Sequence, residues 1–320
     1  MKILVTGSAG FIGFHICKRL LDDKHQVVGI DNLNNYYDKK IKIDRNRILK
    51  KYDNYNFFKY DLIDYSKLNK LIKKLKIKII LHLAAQAGVR YSVESPEKYF
   101  DSNLKGFFNI LELSRNNKIK HLIFASTSSV YGNSNKFPLK ENDNSDFPMS
   151  FYAATKKSNE VMAHSYSNIY NLPCTALRFF TVYGPYGRPD MSLFKFTNSI
   201  YKNKKIDLFN SGNHFRDFTY IDDIINGIKL ILNKPPKKDI PFDIYNLGKG
   251  SSVSLLKYVK EIEKNIGKKA KFNMLSLQKG DVHKTHSSIK KTYRFFGYKP
   301  KITIKTGVKK FVDWYFNYFK

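Results

Sequence analysis

Short β-branched runs alternate with stretches of helical period through the first half of the chain. Residues 2–6, 26–30, 55–60, 78–83, 121–125 and 173–179 read as strands, and 10–22, 66–75, 96–116 and 151–170 as helices. That alternation belongs to βαβ units and predicts an α/β protein with a doubly wound parallel sheet. Beyond Arg178 the pattern changes: Gly184-Pro185 and Gly187-Arg188-Pro189 punctuate a loop, and shorter, irregular segments follow. Residues 243–247 form a further candidate strand returning to the main sheet. The expected organisation is a nucleotide-binding domain over 1–180 with that later strand. A smaller discontinuous lobe, 181–240 and 250–320, would cap the carboxyl ends of the strands.

Composition narrows the function classes. With 42% hydrophobic and 15% aromatic residues among 320, the chain can bury a sizeable core, which excludes a disordered or fibrous protein. Two cysteines, Cys17 and Cys174, are too few for a disulfide framework or a zinc site. His283 and His286 stand three apart without the Cys or acidic neighbours that would complete a metal centre, so no metal is expected. Fifty-seven basic against 27 acidic residues leave a net charge of +30, which raises the question of nucleic acid. The lysines, however, are interleaved with Leu, Ile and Asn, as in 67–78 and 264–271, and read as solvated helix faces. No nucleic-acid partner is expected. The apolar run 79–89 is broken by His82 and Gln86 and is too short to cross a bilayer. The first residues lead straight into a glycine loop without a secretory signal. A soluble, cytoplasmic protein with reduced thiols is the expectation.

That loop is the first piece of chemistry. Gly7-Ser8-Ala9-Gly10-Phe11-Ile12-Gly13 follows a strand and opens a helix. Glycines are needed where the chain turns tightly, where backbone approaches a pyrophosphate, and where helix packs on strand. The helix N-terminus offers free N–H groups and a positive dipole end to phosphate. Asp31 closes the second strand about twenty residues on, where a carboxylate accepts hydrogen bonds from ribose hydroxyls and repels a 2′-phosphate. The expected fold class is therefore Rossmann-type, and the expected cofactor is NAD.

A second constellation follows in chain order. Ser126-Thr127-Ser128-Ser129 ends a strand, and Tyr152 and Lys156 lie four apart on one face of the next helix. A phenol with a pKa of about 10 is a poor base at neutral pH. A neighbouring ammonium and a positive nicotinamide ring favour the phenolate, and Thr127 can hydrogen-bond the reacting hydroxyl. Thr127, Tyr152 and Lys156 are the candidate catalytic residues.

The glycine spacing GxxGxxG resembles the extended short-chain dehydrogenase/reductase superfamily. The segments Asp31-Asn32-Leu33-Asn34-Asn35-Tyr36-Tyr37-Asp38, His82-Leu83-Ala84-Ala85-Gln86-Ala87-Gly88-Val89-Arg90 and Arg178-Phe179-Phe180-Thr181-Val182-Tyr183-Gly184-Pro185 resemble UDP-glucuronate 4-epimerases. So do Gly187-Arg188-Pro189-Asp190 and Arg216-Asp217-Phe218-Thr219-Tyr220. The resemblance spans nearly the whole chain. It implies a redox-neutral epimerisation of a UDP-sugar through a transient 4-keto intermediate, in a homodimer paired through two helices per subunit. It also implies that Asn32, Asp61, Leu62, Leu83, Ala84, Ala85, Gln86, Asn103 and Ser126 join Gly7, Gly10, Phe11, Ile12, Gly13 and Asp31 around the cofactor. Arg216 would meet the diphosphate, Lys195, Phe196 and Gln278 the uracil or ribose, and Arg90 the substrate.

Within that resemblance the residues after Thr127 discriminate. Dehydratases carry Asp-Glu there and decarboxylases Ser-Glu, whereas this chain has Ser128-Ser129, which supply no carboxyl proton shuttle. The 4-ketone of a glucuronate is a β-keto acid, so an epimerase must hold the carboxylate away from the alignment that expels carbon dioxide. Ser128, Ser129 and Thr181 are the candidate donors for that task, with Arg188 as a charged partner. Rival readings are a UDP-glucose/galactose or UDP-N-acetylhexosamine 4-epimerase and a non-catalytic nucleic-acid-binding Rossmann protein. The loop around 278–286 departs from the family pattern at Lys279 and His283.

Overall fold

The computed structural model describes residues 1–276, 278 and 280–319. Seven strands form one parallel sheet. Their spatial order is Phe242–Leu247, Cys174–Phe179, His121–Thr127, Ile79–His82, Lys2–Thr6, Gln26–Ile30 and Tyr55–Phe58. Lys2 pairs with Gln26 on one side, and Ile3 with Ile79 on the other. The chain runs outward from the first strand, then returns to its opposite side. The crevice at the carboxyl ends of Lys2–Thr6 and Ile79–His82 is therefore the switch point where such sheets bind ligands.

These strands are apolar on both faces because both are covered. Ile3 and Val5 face a cluster with Ile16, Leu20, Ile224 and Ile228, while Leu4 faces Val28, Ile72, Phe107 and Ile110. The helix Ile221–Leu232 packs on Phe11–Asp22 and leads into the strand Phe242–Leu247, so this segment travels with the sheet. The small pairings stand apart. Thr181–Tyr183 runs beside Phe218–Tyr220, Phe215–Arg216 beside Val253–Ser254, and Lys205–Phe209 beside Lys271–Leu275.

Two elements differ from expectation. The helix expected over 96–116 is broken by a π-helical stretch, Phe100–Lys105, between Pro96–Tyr99 and Gly106–Asn116. The helix Lys39–Leu49 was not foreseen, because its many charges obscure the apolar period. It is started by the Asp38 side chain, which accepts from the Lys40 amide at 2.8 Å. Among the described residues no helix is long and apolar enough to cross a membrane.

One buried ion pair ties the sheet to the helix Phe151–Tyr170. Arg178 and Glu160 are 1% and 3% exposed and meet as a fork, Nε to Oε1 at 2.9 Å and Nη2 to Oε2 at 2.7 Å. Ser126 Oγ donates to Glu160 Oε1 at 2.6 Å, and the guanidinium lies 4.6 Å above the Tyr131 ring. Truncating one partner strands the other charge without water. Glu160→Ala should therefore cost about 3–5 kcal/mol of stability. Chemical denaturation measures it, and an unchanged midpoint would show the pair to be dispensable.

Candidate active site

The glycine loop sits at the switch point. Gly7 has φ +71°, and its amide donates to Ile30 O at 2.7 Å. A Cβ on Gly7 would lie 2.7 Å from Ala84 N, and one on Gly13 only 2.0 Å from Gly7 O. Helix Phe11–Asp22 begins at Gly10 with no side-chain cap, so no side chain competes for its first amides. Asp31 lies behind the loop, accepting from Ala9 N at 3.1 Å and Leu33 N at 2.8 Å. Burial raises its carboxyl pKa, opposed by those amides and by the charges of Lys42 and Arg45. Asn32 donates to Asp61 at 2.8 Å, and Leu62 is buried with its carbonyl held by Asn109. Leu83, Ala84 and Ala85 are partly buried just past the strand Ile79–His82. A tight turn, an open helix start and an acid at the next strand's end fit the pyrophosphate and ribose of a dinucleotide.

Sequence reading missed two cations here. Burial lowers the Lys42 ammonium to about 8, with Asp31 opposing; its Nζ donates to Asn34 Oδ1 at 2.6 Å. Arg45 is fully buried and donates to Ala9 O at 2.9 Å, Tyr37 Oη at 2.9 Å and Tyr186 O at 2.6 Å. It thereby joins the glycine loop to the segment carrying Arg188. Both lie in the unforeseen helix, which is why no signal marked them.

Beside this cradle stand Thr127, Tyr152 and Lys156. Ser150 caps the helix Phe151–Tyr170 by accepting from Ala153 N at 3.2 Å, which puts Tyr152 in its first turn and Lys156 in the next. Burial raises the Tyr152 phenol, while the Thr127 hydroxyl and the Arg188 charge pull it down. Burial lowers Lys156 to about 8, opposed by Glu160. Thr127 Oγ1 accepts from Ser129 N and donates to Ser129 Oγ, both at 3.2 Å. Asn103 and Ser126 are held by protein groups: Asn103 binds Gln86 and Thr155, and Ser126 binds Glu160.

The remaining candidates lie toward the smaller lobe. Arg188 is paired with Asp190, Nε to Oδ1 at 3.0 Å, and Tyr36 donates to the other Asp190 oxygen at 3.1 Å. Ser128, Ser129 and Thr181 are partly buried. Arg216 donates to Asp281 at 2.7 Å and His283 O at 3.0 Å. Arg90 is exposed and stacks 4.5 Å from the Phe209 ring. Lys195 is exposed, whereas Phe196 sits in the core. Gln278 Oε1 is buried without a partner among the described residues, and Lys279 lies outside them. His286 binds Gly250 O at 3.1 Å, and no group of three potential metal ligands occurs among the described residues. Asp217, which sequence reading passed over, accepts from Lys249 N, Gly250 N and Ser287 N and so fixes two loops next to Arg216.

The sequence matches the NAD dependent epimerase/dehydratase family over residues 3–248. Protein CapI of Staphylococcus aureus is 49% identical, with 100% of both chains covered. The probable UDP-glucuronate 4-epimerase of Rhizobium meliloti is 45% identical over 98% of this chain and 97% of its own. The crystal structure of UDP-glucuronic acid 4-epimerase from Bacillus cereus, in complex with UDP-glucuronic acid and NAD, matches with a TM-score of 0.94. It is 34% identical and covers 99% of this chain and 100% of its own.

The close approach at Gly13 gives a direct test of the cradle. Gly13→Ala should drive the loop away from the helix, lowering the melting temperature and abolishing NAD retention through purification. Absorbance of cofactor released on denaturation reports this; wild-type retention would mean the loop does not bind the pyrophosphate.

Proposed function

The chain belongs to the NAD dependent epimerase/dehydratase family, and within it we propose a UDP-glucuronate 4-epimerase that interconverts UDP-glucuronate and UDP-galacturonate. The observation that carries this reading is that Thr127 faces the Tyr152 phenol, with Lys156 one turn on and its charge acting on His82 beside the first strand, while Ser128-Ser129, and no carboxylate, follow Thr127. Relatives and a solved structure bearing that activity support it. The sheet with its crossovers binds the dinucleotide, and the smaller lobe closes over the sugar nucleotide.

Gly7, Gly10, Phe11, Ile12 and Gly13 hold the pyrophosphate, Asp31 and Asn32 the adenosine ribose, and Asp61 and Leu62 the adenine side. When bound, NAD supplies a reversible two-electron acceptor at sugar carbon 4 and a positive ring that favours the phenolate. Tyr152 takes the proton of the 4-hydroxyl and returns it after the sugar has turned, with Thr127 hydrogen-bonding the same oxygen. Lys156 provides positive charge beside the phenol. The protein thus needs no second redox substrate. Arg216 meets the diphosphate, its planar guanidinium fork donating to phosphate oxygens.

Discrimination falls to the sugar's acid group. Ser128, Ser129 and Thr181 offer hydroxyls and Arg188 a charge, and together they turn the carboxylate from the geometry that favours decarboxylation. Two subunits pair through two helices each, Phe151–Tyr170 and Gly106–Asn116, the latter with the π-helical stretch Phe100–Lys105 that leads into it. Val161, Ile169, Phe100 and Phe108 are exposed apolar side chains on those elements. The protein works in the cytoplasm, where its buried thiols Cys17 and Cys174 stay reduced.

Purified protein given UDP-glucuronate should form UDP-galacturonate, separated by chromatography, without net NADH. Tyr152→Phe should lower kcat by about a hundredfold or more. Absence of the epimer from the wild-type reaction would reject the assignment. Thr181→Ala and Arg188→Met should each reduce the preference for UDP-glucuronate over UDP-glucose by tenfold or so, about 1.4 kcal/mol. Unchanged ratios of kcat/KM would remove these two residues from the acid subsite.

A further inference from the structure

Lys156 is enclosed, with 1% of its surface exposed. Among the described residues its ammonium makes one hydrogen bond, a long one of 3.5 Å to Asn159 Oδ1. Its charged and titratable surroundings come from several elements. Glu160 lies on the same helix, but its carboxylate is taken by Arg178 and Ser126. His82, at the end of Ile79–His82, is bound to Thr6 Oγ1 at 2.9 Å and kept neutral by burial. Tyr152 stands one turn earlier, with the Tyr99 ring 6.1 Å from its own and the Arg188 charge acting on it from the cap.

Asn159 is oriented by one short hydrogen bond. It is fully buried, and its Nδ2 donates to Asn103 O at 2.7 Å. Asn103 belongs to the π-helical stretch Phe100–Lys105, a distortion that often marks functional positions. Its own side chain is locked to Gln86 at 2.8 and 3.0 Å and to Thr155 at 3.1 Å. The amide of Asn159 therefore has one orientation, nitrogen to the π turn and oxygen to the lysine.

We propose that Asn159 is a positioning residue for Lys156, bridging the ammonium to the main-chain oxygen of Asn103 and holding it on the helix face that carries Tyr152. A neutral acceptor suits the task. A carboxylate there would cancel the positive field that stabilises the phenolate, and an alkyl group would take from the buried ammonium its one hydrogen bond among the described residues. The role rests on the epimerase reading given above.

The test compares the pH dependence of kcat in wild type, Asn159→Asp and Asn159→Leu, with direct titration of Lys156 by heteronuclear NMR of the lysine side chains. Wild-type activity should decline on the alkaline side as Lys156 loses its proton. Asn159→Leu should move that decline down by about one pH unit. The near-isosteric Asn159→Asp should move it up and carry the acid limb upward too. Limbs unmoved in both variants, with only the plateau lowered, would overturn the inference, as would an NMR titration of Lys156 unaffected by either change. A wild type that binds NAD but forms no epimer would instead count against the epimerase reading, and the NMR titration then decides the role of Asn159 by itself.

Discussion

Two opposite charges without water, Arg178 on a central strand and Glu160 on the helix beside it, fix where the reacting groups stand. Neither ion would be tolerated alone in the interior, so each keeps the other, and with it the spacing of strand and helix. Glu160 also receives Ser126, which anchors the strand end one residue before Thr127. Thr127 from the strand and Tyr152 and Lys156 from the helix are thereby presented from elements that cannot slide apart. The candidate catalytic residues are thus positioned from the rear, through groups buried behind them.

The cofactor side and the sugar side are joined by a second set of buried polar links. Arg45 binds the carbonyl of Ala9 in the glycine loop and that of Tyr186 in the cap. His15, on the first helix, binds Pro185 O at 2.9 Å, and Tyr36 reaches Asp190. The segment 185–190, which carries Arg188, is thus held by residues of the nucleotide-binding part. Arg188 in turn has two competing attractions. Its fork is occupied by Asp190, while its charge acts on Tyr152. On the proposed reading, a sugar carboxylate would have to share that guanidinium with Asp190.

The charge of +30 has a plain place in this structure. Exposed pairs such as Lys18–Asp22 and Lys309–Asp313 are solvated and contribute little. The cations that matter are Arg45, Arg178 and Lys156, withdrawn from water, and the half-buried Arg188, paired with Asp190.

Local pattern alone determined the parallel sheet, the glycine loop, Asp31 and the Tyr152–Lys156 pair, because strand period, turn chemistry and helical spacing are written in neighbouring residues. The strand expected over 243–247, observed as Phe242–Leu247, was visible for the same reason. Tertiary structure decided what joins distant segments. Asn159 meets Asn103 across 56 positions, Arg45 meets Tyr186 across 141, and Asp217 gathers loops from 249–250 and 287. The helix Lys39–Leu49 was hidden because charges buried by such contacts look, in sequence, like charges facing water. A hydrogen bond between remote residues leaves no period along the chain; only packing brings its donor and acceptor within 3 Å or so.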